Sequence, residues 1–116
     1  MAGQNKKDSV LVECVGKGQA LASLVEYVKD SIVSKTILNK SVGTMTLFAF
    51  DEGQSLSEHT SPYDAVVQVL DGSTRLTIGG RDTVVTEGQI IIMPANVPHA
   101  VNAEEKFKML LIMIRA

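Results

Sequence analysis

From Ile32 onward the sequence is a succession of short apolar runs, nearly every one of them closed by a turn signal. The runs are Ile32–Leu38, Thr44–Phe50, Ala65–Leu70, Thr74–Ile78, Thr83–Thr86, Gln89–Met93 and Phe107–Ile114. Each is the length of a strand and too short for an ordinary helix, and β-branched residues are frequent in them. The punctuation is Asn39–Lys40–Ser41, Asp51–Glu52–Gly53, Asp71–Gly72, Gly79–Gly80 and Glu87–Gly88. Asp-Gly is a strong hairpin signal, so Asp71–Gly72 is expected to turn one strand back on the next. Phe107–Ile114 is nearly all apolar, which predicts a strand buried on both faces. A chain of short strands separated by glycine turns folds as an all-β barrel or sandwich, the immunoglobulin-type sandwich being one alternative.

The N-terminal third has a different texture. Residues 1–9 are polar and expected to fray, and Val10–Val15 is a candidate first strand. Within Gln19–Lys29, residues Leu21, Leu24, Val25 and Val28 recur at helical spacing, which predicts one short helix over 19–29 packed on the main domain.

The chain has 116 residues, the size of one domain, so 1–116 is read as a single unit. Eleven basic residues stand against thirteen acidic ones, for a net charge of −2, with no tryptophan. That leaves no surplus of positive charge for phosphate and few rings for stacking bases, so nucleic acid is not an expected partner. The apolar stretch Met109–Ile114 is too short to span a bilayer, and the start MAGQNKKDSV has no signal-peptide apolar core. Cys14 is the single cysteine, which excludes an internal disulfide and a cysteine zinc cluster. The expectation is a soluble cytoplasmic protein without a membrane partner. Cys14 itself is read as a small buried apolar residue.

There are two histidines, His59 and His99, each following a glycine-led turn. One stretch runs Gly53-QSLSE-His59-T-Ser61-PYD-Ala65-VVQVLD-Gly72, the other Gly88-QIIIM-Pro94-A-Asn96-VP-His99. Together they resemble the two motifs of the cupin superfamily. Gly53, His59 and Gly72 hold the first motif's spacing; Gly88, Pro94 and His99 hold the second's. The resemblance covers residues 43–114 and implies a compact, RmlC-like single-domain cupin: a double-stranded β-helix, or jelly-roll barrel, and by family expectation a homodimer.

The resemblance also implies a metal centre, and here the chain departs from the pattern. Cupins bind metal with two histidines and a glutamate of the first motif and a histidine of the second. At those positions stand His59, Ser61, Ala65 and His99, so two of four ligands are missing. Imidazole suits Mn, Fe, Co, Ni, Cu or Zn, but catalytic zinc sites ordinarily keep three protein ligands. Asp64, Gln68, Glu58 and Tyr63 are candidate third donors, although strand alternation separates Gln68 from Ala65. Met93 or Met45 would add a soft sulfur useful mainly to copper, while methionines at 45, 93, 109 and 113 are also natural core filler. Asn96 stands in for a motif glycine, which its tolerance of left-handed backbone permits.

Three functions follow as expectations. The first is a barrel that binds a small molecule, with a weakly held divalent metal on His59 and His99 or none at all; Ser61, Tyr63, Asp64, Gln68 and Met93 are its pocket candidates. The second is a metal-free cupin isomerase or epimerase, with His59 as base, Asp64 or Glu58 orienting it and Tyr63 as acid. The third is a non-catalytic ligand-sensing module. No residue is assigned a catalytic role by the sequence, and neither a substrate nor a reaction is named by it.

Overall fold

The computed structural model describes residues 8–115. Most of them lie in nine strands: β1 Ser9–Val10, β2 Ile32–Lys40, β3 Gly43–Phe50, β4 Ser55–His59, β5 Asp64–Ile78, β6 Arg81–Thr86, β7 Ile90–Met93, β8 His99–Asn102 and β9 Phe107–Ile114. All pairings are antiparallel. The architecture is all-β, as the run-and-turn pattern requires.

β5 organises the barrel. Its first half pairs with β9 on one side and β7 on the other, and its second half with β8 and β6. One strand therefore belongs to both sheets: β1-β2-β3-β9-β5-β7 on one side, and β4-β8-β5-β6 on the other. This corrects the expectation of a hairpin at Asp71–Gly72. The chain does not turn back there; it bends from one sheet into the next, with the register shifting between Val69 and Asp71. Gly72 takes φ +70, and a Cβ on it would run into the carbonyl oxygen of Lys106 on the approach to β9. Glycine is required for the bend and the close approach, which is the same local chemistry that a hairpin uses.

Inward residues of both sheets form the core. Phe50, Val67, Val69, Leu76, Val85, Val101, Phe107 and Met109 are buried, and Phe50 and Phe107 stack with centroids 4.6 Å apart. Strand alternation puts Leu47 and Ala49 of β3 and Leu110 of β9 on the opposite face. That face is covered by the N-terminal segment, through Val25 with Leu21, Leu24 and Tyr27. β9 is thus buried on both faces over most of its length.

The N-terminal segment departs from its helical pattern. In place of a helix over 19–29 there is one 3-10 turn, Leu21–Leu24, followed by extended chain at Val25. Gly16 and Gly18 offer no side-chain cap, none is made at Ala20, and β-branched Val25 and Val28 add little helix propensity. The apolar residues satisfy their burial by tertiary packing instead. Two side chains of the sheet hold the segment down: Lys108 Nζ donates to the Ala22 carbonyl at 2.6 Å, and Tyr27 Oη donates to Asp71 Oδ2 at 2.6 Å. The run Val10–Val15 likewise gives only the two-residue β1 and a 3-10 turn, Val12–Cys14, with Cys14 half-buried. Of the polar stretch 1–9, residues 1–7 lie outside the described residues, while Ser9 pairs with Asn39.

Candidate functional site

The two histidine-bearing stretches become β4 and β8, neither of which stands out as an apolar run in the sequence. They pair so that His59 and His99 are direct cross-strand partners. The rings meet edge to face, centroids 4.4 Å apart at 69°. His99 is only 5% exposed, while His59 lies at the open side. Both rings are fixed in the same way. His59 Nδ1 lies 2.8 Å from the Ser57 carbonyl oxygen and His99 Nδ1 lies 3.1 Å from that of Val97. A carbonyl oxygen can only accept, so Nδ1 donates in each ring, and Nε2 of the neutral imidazole keeps the free lone pair.

The loop carrying His99 is built for rigidity. Asn96 adopts φ +64 after Pro94, its backbone N–H donates to the Ser61 carbonyl at 2.7 Å, and Gly79 N–H donates to the Pro98 carbonyl at 2.8 Å. The left-handed conformation expected of Asn96 is what the loop uses.

Both imidazoles line a cavity of about 130 Å3, together with Leu56, Ser61, Ala65, Met93, Val101, Met109, Leu111 and Met113. It lies between the two sheets, and its lining is apolar apart from the two rings and Ser61, whose hydroxyl oxygen accepts the Tyr63 N–H at 3.2 Å. Of the residues singled out from sequence, His59, His99, Ser61 and Met93 come together here. Asp64, Gln68 and Tyr63 do not. Asp64 is exposed, and its Oδ1 accepts the Ala95 N–H at 2.9 Å, closing the turn after β7. Gln68 sits on the outward face of β5, as alternation from Ala65 requires. Tyr63 lies with its ring 5.9 Å from the Arg115 guanidinium. Met45 is on the far side of the sheet, packed with Leu47 and Leu110. The carboxylate expected to orient His59 as a base is replaced by the Ser57 carbonyl.

Met109, Leu111 and Met113 were readable only as part of an apolar strand. The alternation within β9 was the available signal for which of them face inward, but it could not say that they border a cavity.

Residues 46–115 match the family description "Cupin domain". The chain belongs to the cupin family. This cupin is similar to a conserved protein of unknown function from Streptococcus pyogenes, 38% identical with TM-score 0.83 over 86% of this chain and 88% of the other. It is also similar to a cupin 2 conserved barrel domain protein from Leptotrichia buccalis, 46% identical with TM-score 0.79, over 80% of this chain but 45% of that one. An uncharacterized protein of Streptomyces coelicolor is 36% identical over 61 residues, and that stretch is 55% of its length.

The family's four-ligand metal set does not fit this cupin. Ala65 and Ser61 line the cavity where a carboxylate and an imidazole would be needed. Among the described residues no group of three or more His, Cys, Asp or Glu side chains comes together. Two fixed imidazoles remain, able to accept hydrogen bonds at Nε2 or to donate a lone pair to an ion.

Proposed function

We propose that this cupin binds a compact, largely apolar small molecule in the cavity beneath His59 and His99. The observation that carries this is two imidazoles, each with Nδ1 tied to a peptide carbonyl, facing a cavity walled, apart from Ser61, by aliphatic and thioether groups. A volume of about 130 Å3 is close to what holds a benzene-sized molecule. The free Nε2 lone pairs favour a ligand that brings an O–H or N–H donor, and the Ser61 hydroxyl adds a further polar contact. A divalent ion from the Mn to Zn group would find two protein donors where catalytic sites ordinarily supply three, and is weakly held or absent.

Phenol tests this reading, with benzene as the control lacking a donor. Methionine-methyl NMR should show phenol perturbing Met93, Met109 and Met113, more strongly than benzene does. Ala65→Leu, which fills the cavity, should abolish the effect. Equal phenol binding by a folded Ala65→Leu variant, or no perturbation of these methyls by either probe, would refute it.

A homodimer forms the second part of the proposal. β7 is an edge strand carrying Ile90 and Ile92, 66% and 61% exposed. Ile92 continues outward a cross-strand row with Val66 and Ile112. An apolar row ending at an edge that is unpaired among the described residues is suited to a two-fold partner. Sedimentation of Ile90→Lys/Ile92→Lys as a folded monomer, against a wild-type dimer, is the expected result; a wild-type monomer would overturn it.

A further inference from the structure

The register of the strands puts sulfur on both sides of the missing carboxylate. Ala65 on β5 pairs with Met93 on β7 and with Met113 on β9. The three form one cross-strand row, Met93–Ala65–Met113, and all three line the cavity. Cross-strand partners have Cβ atoms about 4.5–5.5 Å apart, so two flexible thioethers flank the methyl group of Ala65. On the opposite sheet the partners His59 and His99 line the same cavity. Met93 is 3% exposed and His99 5%, so much of this donor set is shielded from water.

From this juxtaposition we propose that the cavity is a soft-metal site, taking one Cu(I) ion on His59 Nε2, His99 Nε2 and the sulfurs of Met93 and Met113. The proposal rests on the cavity reading above and names a different occupant for the same space. Thioether and imidazole donors are neutral, so a bound Cu(I) keeps a single positive charge, half of what a divalent ion would leave uncompensated in a site without a carboxylate. Soft sulfur selects Cu(I) over the harder divalent ions, which the lost glutamate would have served. A thioether on a three-torsion side chain can also swing to meet an ion that a rigid aliphatic chain could not. The peptide carbonyls on Nδ1 of both rings hold Nε2 as the donor atom, as outer-shell partners do in established metal sites. The same set leaves Zn(II) two good nitrogen donors and two poor sulfurs.

The test is a Cu(I) titration of the full chain under anaerobic conditions against a competing chelator, with Ag(I) as a redox-inert probe and Zn(II) as the hard comparison. One equivalent of Cu(I) is expected, with X-ray absorption showing both nitrogen and sulfur neighbours. Met93→Leu/Met113→Leu preserves size and apolarity. It should weaken Cu(I) binding by about tenfold or more for the pair and leave Zn(II) within about threefold. His99→Gln should weaken both ions. A folded wild-type protein that holds no Cu(I) in the competition, or a double methionine variant that holds it equally well, overturns the soft-metal site. Phenol perturbation of the cavity methyls in that same protein would show that the small-molecule reading survives; its absence would take both down.

Discussion

Returning a carboxylate to the row between the two methionines measures whether the cavity points at the histidines. Ala65 is 2% exposed, and its side chain faces the space lined by His59 and His99. In Ala65→Glu the longer side chain enters about 130 Å3 of mostly apolar space rather than displacing packed core. The main penalty is then burial of a carboxyl group, which even in its neutral form costs at least the about 1–3 kcal/mol of a buried polar group on protein mutational scales. For a domain of this size each kcal/mol moves Tm by about 4 °C, so calorimetry of the metal-free variant should show a clear loss. Zn(II) then has two imidazoles and a carboxylate, the donor set of a three-ligand catalytic zinc site. Zinc at 100 times its Kd returns about 2.7 kcal/mol, enough to restore most of the lost stability. The assay is calorimetry with and without Zn(II), beside isothermal titration. A folded Ala65→Glu protein that binds Zn(II) no better than wild type, or whose zinc binding is indifferent to His59→Ala, would refute the reasoning that position 65 is aimed at the two rings.

Three further outcomes are expected. Gly72→Ala should destabilise by more than about 2 kcal/mol in urea unfolding, because left-handed backbone costs about 1–2 kcal/mol and the new methyl collides with the Lys106 carbonyl; an unchanged midpoint would show that the β5 bend is not fixed there. Phe107→Ala should cost about 3–5 kcal/mol, since it removes the partner of Phe50 from a fully buried stack; calorimetry checks it. Stability should fall with acid in a manner traceable to Asp51. The Asp30 N–H, donating at 2.7 Å, and the Glu52 N–H hold its carboxyl below the ordinary 3.8, against the opposing effect of burial, with Lys106 and Lys29 helping. A lowered folded-state pKa means the contribution is full above the unfolded value and is lost as pH falls through the folded one. Asp51→Asn should therefore flatten the acid limb of Tm against pH below about pH 4; an unchanged limb would assign it to other carboxylates.

Much of this molecule follows from one-dimensional information, because strand physics is local. Alternation along the strand separates Gln68 from Ala65, and β5 places them on opposite faces. Glycines at 79–80 and 88 marked turns that the structure makes there. Two histidines at motif spacing named the pair that lies across β4 and β8. The sequence erred where one local chemistry serves two geometries. Asp71–Gly72 reads as a hairpin, yet a left-handed glycine also lets a strand bend between sheets. Leu21, Leu24, Val25 and Val28 read as a helix face, yet the periodicity records only that apolar groups must be covered, and the sheet behind Leu47 and Leu110 covers Val25 and its neighbours without a helix.

What the sequence by itself determined is the all-β fold, the turns other than Asp71–Gly72 and the identity of two candidate site residues, since those depend on side-chain period and backbone preference within a few residues. Only the tertiary structure decided what those residues face. Cross-strand register, a property of pairings between β5, β7 and β9, set Met93 and Met113 beside Ala65. The pairing of β4 with β8 joined two imidazoles forty positions apart along the chain. A hydrogen bond from the Ala95 N–H to the Asp64 carboxylate tied that side chain to the turn after β7 and away from the cavity. Contacts of that separation leave no mark in local pattern, so the cavity and its sulfur-bordered gap exist only once the sheets have closed.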